Sequence, residues 1–327
     1  MEAAQLLKEH ELFELLPAHG KVVTLDADLP MKHALDALSS HSATCLPVWD
    51  SFQQRFVDVF TCTDLVDIVL YTHRALAATS GAAMTDSEPR SAPTRGDAQQ
   101  AIERCQLRDL HGLSRSKHSG FVMASVDDSM YHGCLMLKQH GLECLPLGDT
   151  SCSTALLHVL LPEQILAFIA TSPGFREEAT TNPSALFAAP LSSTALPHCA
   201  PPTTVLQGTS LSDALALLSE RRLHALPIVD GEGALRDIIS CRDVRHLAST
   251  SQTDDLTTRV EECLSSLPQV PCRLHTCVPS DSLASAIERL ASVEVAQLVC
   301  IDERGCVVAV LSSAEILTCL LAQPAAS

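Results

Sequence analysis

Aromatic side chains are nearly missing from this chain: Phe, Tyr and Trp make up 3% of it, with a single Trp. A core built without them must be assembled from Leu, Val, Ala, Ile and Cys. Positive charge is scarce as well, with 22 Lys and Arg against 39 Asp and Glu and a formal net charge of −17. That balance argues against a general nucleic-acid surface, which needs a basic footprint. It also makes any phosphate ligand depend on locally placed cations. The 14 cysteines contain no C-x-x-C pair. The tightest cluster, Cys272, His275 and Cys277, matches no structural zinc spacing. Runs such as Leu298-Val299-Cys300-Ile301 put cysteine where a thiol acts as a small hydrophobe. Reduced, mostly buried thiols of an intracellular protein are therefore expected. A membrane span is not expected: the longest apolar stretch, Ala155 to Ala170, is broken by His158, Pro162, Glu163 and Gln164. Nor is a secretory signal, because Met1 to Leu16 is amphipathic and charged.

What is present is enough for a folded protein. The chain has 327 residues, 46% hydrophobic and 19% charged, which suits two domains of ordinary size with buried cores. The main signal is an internal repeat. Leu46-Pro47-Val48-Trp49-Asp50 is echoed by Leu145-Pro146-Leu147-Gly148-Asp149, by Leu226-Pro227-Ile228-Val229-Asp230 and by Leu298-Val299-Cys300-Ile301-Asp302. After each Asp, at nearly constant spacing, an acidic residue leads into a helical segment: Asp64, Glu163, Asp243 and Glu315.

The flanks agree. An amphipathic stretch precedes each pentapeptide; in the third copy its apolar face carries Leu211, Ala214, Leu215 and Leu218, with Ser210 or Ser212 as cap. In the fourth copy the stripe is Leu283, Ala286, Ile287 and Leu290. After the pentapeptide come a turn (Gly231-Glu232-Gly233, Glu303-Arg304-Gly305), a β-rich run and a second helix. The unit is strand-helix-strand-strand-helix. Its sheet, with helices on one face, leaves the other face apolar, so units must pair face to face.

This pattern resembles the CBS repeat, two of which form a Bateman module. Four in one chain are similar to the gamma subunit of AMP-activated protein kinase. The match is most specific in the first repeat: Lys21-Val22-Val23-Thr24-Leu25-Asp26, the Trp49-Asp50-Ser51 after the pentapeptide, and Thr61-Cys62-Thr63-Asp64-Leu65. The resemblance implies an α+β fold of four CBS repeats, paired into two Bateman modules that form a disc. The expected limits are 10–76, 105–172, 191–250 and 258–323, with linkers at 77–104 and 173–190.

It also implies a non-catalytic regulatory subunit that binds AMP, ADP or ATP and assembles with a Ser/Thr kinase alpha subunit and a beta subunit. Cytoplasmic and nuclear residence, with no metal, membrane or nucleic-acid partner, would follow. In the family an Asp at the start of a repeat's second helix holds the ribose hydroxyls. Asp64 and Asp243 match it, with Glu315 as a longer substitute, and Thr61 or Ser240 can add a hydroxyl. Each of these acids can equally be a helix cap.

The family's phosphate-binding Arg and His residues stand just before the pentapeptides. Here those places hold Thr44 and Cys45, Glu143 and Cys144, His224 and Ala225, and Ala296 and Gln297. Losing three or four charge-assisted contacts at about 1.5–3 kcal/mol each removes binding energy on the order of 5–10 kcal/mol. Two readings stay open. Nucleotide binds only in the pair that contains the third repeat, through Asp243, Ser240, His224, Arg222 and Arg242, or the chain is a nucleotide-insensitive scaffold. A stand-alone CBS regulator of another enzyme or transporter is a further alternative. No P-loop, nucleophile elbow or metal signature points to an enzyme.

Overall fold

The computed structural model describes residues 3–18, 20–41, 43–81, 106–109, 121–149, 154–175, 186–194, 196, 202–249, 255–267, 274–293 and 297–322. Most of the expected linkers, together with Cys272 and Ala296, lie outside the described residues.

Helix α1 (Ala3–Glu9) leads into repeat 1, made of β1 (Leu25–Asp26), α2 (Met31–Ser40), β2 (Cys45–Asp50), β3 (Arg55–Thr61) and α3 (Cys62–Gly81). Repeat 2 has β4 (Ala124–Ser125), α4 (Met130–His140), β5 (Leu145–Gly148), β6 (Leu156–Leu160) and α5 (Pro162–Thr171). Repeat 3 has β7 (Val205–Leu206), α6 (Leu211–Arg221), β8 (Ala225–Val229), β9 (Leu235–Ser240) and α7 (Cys241–Ser249). A short helix, α8 (Val260–Ser265), precedes repeat 4: β10 (Thr276–Cys277), α9 (Leu283–Val293), β11 (Gln297–Ile301), β12 (Val307–Ser312) and α10 (Ser313–Leu321). Each repeat has one three-stranded sheet, in which the first strand runs parallel to the central one and the third antiparallel. The order strand-helix-strand-strand-helix is thus met four times.

The repeats also agree in detail. The central hairpin shifts register at the same point of every pentapeptide: Val48/Trp49, Leu147/Gly148, Ile228/Val229 and Cys300/Ile301. A bulge adds twist, and four at one position mark one structural unit. The closing Asp explains itself locally. Asp50 accepts the N–H groups of Phe52 and Gln53, Asp230 those of Glu232 and Ala234, and Asp302 those of Arg304 and Cys306. A short carboxylate folded over its own turn organises the hairpin. These bonds hold the Asp50 and Asp230 carboxyls below the ordinary range.

Sheets join repeat 1 to 2 and repeat 3 to 4. Phe56 of β3 stacks on Phe121 with centroids 5.6 Å apart, and Trp49 meets Phe56 edge-on at 5.1 Å. Ala225, Ile238 and Val299 form a small apolar contact between the sheets of repeats 3 and 4. Backbone bridges repeat this pairing: Pro30 with Gln106 and Glu11 with Ser129 in one half, Ser210 with Arg259 and Pro190 with Ser282 in the other.

The large cores run the other way. Leu38, Phe60, Leu65 and Ile68 of repeat 1 share one cluster with Leu211, Leu215, Ile239 and Val244 of repeat 3. Met130, Leu145, Ile165 and Ile169 of repeat 2 share a second with Ile287, Leu290, Leu311 and Ile316 of repeat 4. Helical stripes fix these contacts, since spacing of three and four residues puts each apolar side chain on one face. Buried polar groups cross the first core as well. The Ser219 hydroxyl donates to Asp67 Oδ1 at 2.5 Å, joining α6 to α3. The expectation of two domains with separate cores therefore needs correcting: sheets pair within each half, but each main core is shared between halves.

A cavity where four helix starts converge

The acids singled out in the sequence stand at the first turn of each repeat's second helix. Asp64 Oδ2 accepts the Thr61 N–H at 2.8 Å and its hydroxyl at 3.0 Å. Asp243 Oδ2 accepts the Ser240 N–H and hydroxyl, both at 2.7 Å. Glu315 Oε2 accepts the Ser312 N–H and hydroxyl, both at 2.8 Å. All three are thus the reciprocal half of a capping box, which satisfies backbone donors that the helix leaves without partners. Asp64 and Asp243 are buried, as is Thr61, while Glu315 is half-buried.

Repeat 2 departs from this. There Gln164 Oε1 accepts the Leu161 N–H at 2.8 Å, so Gln164 and not Glu163 is the counterpart of the other acids. Pro162 occupies the first helical turn. Displaced by one position, about 100° around the helix, Glu163 reaches across to repeat 3, where Arg242 Nη2 is hydrogen-bonded and ion-paired to its Oε1.

These helix starts surround a central cavity of about 560 Å³ lined by residues of all four repeats. Glu315 and Ser312 line it, with His224, Arg242, Glu143, Glu163 and Lys138. His224 Nδ1 lies 4.0 Å from Glu143 Oε2. A second cavity, about 570 Å³, is lined mainly by repeats 1 and 2, with Arg242 of repeat 3 and Leu290 and Ala291 of repeat 4 completing its wall. It has Lys21, His41, His158 and Arg242 around Glu163, the one carboxylate among its described lining residues. Burial pushes the His158 imidazole below its ordinary pKa. Arg242 and Glu163 line both cavities.

Of the residues expected to hold nucleotide, Glu315, His224 and Arg242 thus come together at the centre. Asp64, Thr61, Asp243 and Ser240 are not among the lining residues of either cavity. Neither is Arg222, which is exposed and forms the left-handed C-cap of α6 at φ 53°, the place that Gly141 takes after α4 at φ 58°. Sequence reading passed over Lys138 and Lys21, because an exposed lysine on a polar helix face or strand approach carries no pattern of its own. Among the described residues no cluster of three or more metal-ligating side chains occurs, and no helix is long and apolar enough to cross a membrane.

The fold defines a class of protein. Residues 14–71 and 198–249 match the CBS domain family, and the remaining two sheets repeat the same topology. The chain thus has the CBS-repeat fold. Its likeness to solved structures agrees: a Methanocaldococcus jannaschii protein, described as a candidate archaeal homologue of gamma-AMPK, superposes with TM-score 0.66 at 14% identity, covering 94% of this chain and 99% of that one. By sequence the chain is similar to AMP-activated protein kinase gamma subunits. It is 30% identical over 322 residues to 5'-AMP-activated protein kinase subunit gamma of Dictyostelium discoideum, covering 96% of this chain and 52% of that one. It is 27% identical over 321 residues to subunit gamma-3 of Homo sapiens, covering 98% of this chain and 61% of that one. The chain therefore spans between about half and two thirds of the length of these relatives.

Proposed function

We propose that this chain is a non-catalytic regulatory subunit of the gamma type, assembling with a Ser/Thr kinase alpha subunit and a beta subunit, with AMP, ADP and ATP as regulatory ligands. The observation that carries the reading is the similarity to gamma subunits over nearly the whole chain, on a fold whose four repeats meet at one centre. Residence would be cytoplasmic and nuclear.

Nucleotide phosphate is best served in the cleft of repeats 1 and 2. Lys21, His41 and Arg242 gather there against one carboxylate, whereas the central cavity sets three carboxylates against two permanent cations. Binding exchanges the Glu163 carboxylate for phosphate on Arg242. A nucleotide in the pair that contains the third repeat is a separate proposal, with Asp243, Ser240, His224, Arg222 and Arg242 as its ligands and Asp64, Thr61 and Glu315 as the corresponding ribose contacts of the other repeats; of these only Arg242 also lines the cleft. Signalling requires only that AMP and ATP favour different states of the assembly.

Calorimetry with AMP, ADP and ATP tests this directly, alongside co-purification from cells. Micromolar to submillimolar binding that Arg242→Ala weakens at least tenfold, with recovery of an alpha-type kinase and a beta subunit, supports the proposal. No heat at millimolar nucleotide favours the scaffold reading, for which the commitment of Arg242 to Glu163 is the specific observation. A lone homodimer favours a stand-alone CBS regulator.

A further inference from the structure

The two cavities adjoin. Thr44, Cys45, Leu161, Glu163 and Arg242 line both of them and so form a common wall. Among the described lining residues, Arg242 is the one permanent cation that belongs to both cavities. Lys21 borders the cleft of repeats 1 and 2 alone, and Lys138 the central cavity alone.

The charges around the two cavities balance without a ligand. Among the described lining residues, Lys21, Lys138 and Arg242 stand against Glu143, Glu163 and Glu315, three permanent charges of each sign. A phosphate group brings about two negative charges at neutral pH. The first to arrive draws Arg242 away from Glu163, its partner in the ion pair. Glu163 then turns an uncompensated carboxylate toward both cavities.

A second phosphate would meet that carboxylate and the first phosphate together. A guanidinium has donors enough for two anions, but bridging would gather about four negative charges around it. The rest of the central wall screens them poorly. Burial raises the Cys62, Cys134 and Cys241 thiols, which are therefore uncharged at neutral pH, and Leu137 and Leu317 are apolar. Like charges repel more strongly beside such walls than in water, and a charge taken out of water without a partner is costly.

We infer that the cleft and the central cavity are alternative seats for one phosphate-bearing ligand: Arg242 serves whichever is filled, and occupation of one closes the other to a second copy. This rests on the nucleotide reading above and adds to it a stoichiometry and a coupling between the two sites.

Equilibrium dialysis of radiolabelled AMP against the full chain tests this, with Lys21→Ala, Lys138→Ala and the double variant. Wild type and both single variants should saturate at one AMP per chain. Each single variant should lose less than tenfold in affinity, because the ligand shifts to the other seat. The double variant should lose more than the product of the two single losses. Both lysines are exposed, so the melting temperature should not change. Saturation at two AMP per chain would overturn the inference and leave the nucleotide reading standing. So would a Lys138→Ala change that is silent in both backgrounds, which means a single seat, or a double variant that loses only the product. No binding at millimolar AMP would overturn the inference and the nucleotide reading together.

Discussion

Arg242 of repeat 3 is ion-paired to Glu163 of repeat 2, and both residues line both cavities of the molecule. The pair therefore stands where any anionic ligand must compete. Its side chains are 33% and 12% exposed, so solvent screens it only in part.

Competition predicts opposite effects at the two ends of the pair. Glu163→Gln frees Arg242 and should tighten AMP roughly tenfold, about 1.4 kcal/mol. Arg242→Ala should weaken it by at least as much. Calorimetric titration of both variants checks this, and equal behaviour of the two would remove Glu163 as a competitor.

Asp67 and Ser219 test the shared core. Ser219→Ala takes from a buried carboxylate a donor at 2.5 Å. A hydrogen bond to a charged group is worth about 1.5–3 kcal/mol, so the melting temperature should fall by several degrees. Because the bond joins repeat 1 to repeat 3, the whole transition should move rather than one half of it.

At Arg222 the backbone is left-handed, which burdens a residue with a Cβ by roughly 1 kcal/mol. Replacing it with Gly, the residue found at the matching position 141, should stabilise the protein by up to about 1 kcal/mol. If Arg222 also holds phosphate, the same variant loses AMP affinity; an unchanged affinity assigns the residue to the cap alone.

Thiol reactivity should follow burial. With a pKa of about 12, the Cys62 and Cys134 thiols are ionised only to roughly one part in ten thousand at pH 8. Among the described cysteines, iodoacetamide on the native protein should modify the half-buried Cys45 and Cys306 first and leave Cys62, Cys134 and Cys241 until unfolding. Peptide mass spectrometry gives the order.

Acid should destabilise the fold in two windows. The folded pKa values of His158 and His246 lie below the ordinary 6.5, burial being the main cause. The unfolded chain then binds protons first, so stability falls as pH drops from about 6.5 and levels off below the folded values. Asp26, Asp50, Asp230 and Asp255 are likewise held below the ordinary 3.8, chiefly by hydrogen bonds. Their contribution is present above 3.8 and is lost as pH falls through the folded values. Melting curves between pH 8 and 3 should show both declines, and His158→Gln should shrink the first.

Much of this was legible in the sequence because the pentapeptide carries its own physics. Its Leu is buried in every repeat, and three of its four Asp residues visibly fold over the hairpin turn. The capping acids were legible for the same reason, as they follow Thr61, Ser240 and Ser312 by three residues. Counting from the pentapeptide failed at Glu163 because the hairpins differ in length, and the cap, not the count, decides which side chain faces the backbone. Crosswise packing was not legible either. The stripe of Leu211, Ala214, Leu215 and Leu218 says which face of a helix is buried, but any apolar stripe of similar width could cover it. For the same reason the meeting of Cys62, Cys134 and Cys241 at one cavity could not be read from residues so far apart in the chain.

The crosswise cores also set the order in which the molecule can become itself during synthesis. Phe60 and Leu65 find their cover on Leu215 and Val244, so a nascent chain that has finished its first two repeats still shows the ribosome exit and its attendants a bare helical face. That half must wait, guarded against sticking to its neighbours, until the third repeat emerges; a ribosome stalled before it would release a product fit for degradation rather than a working half.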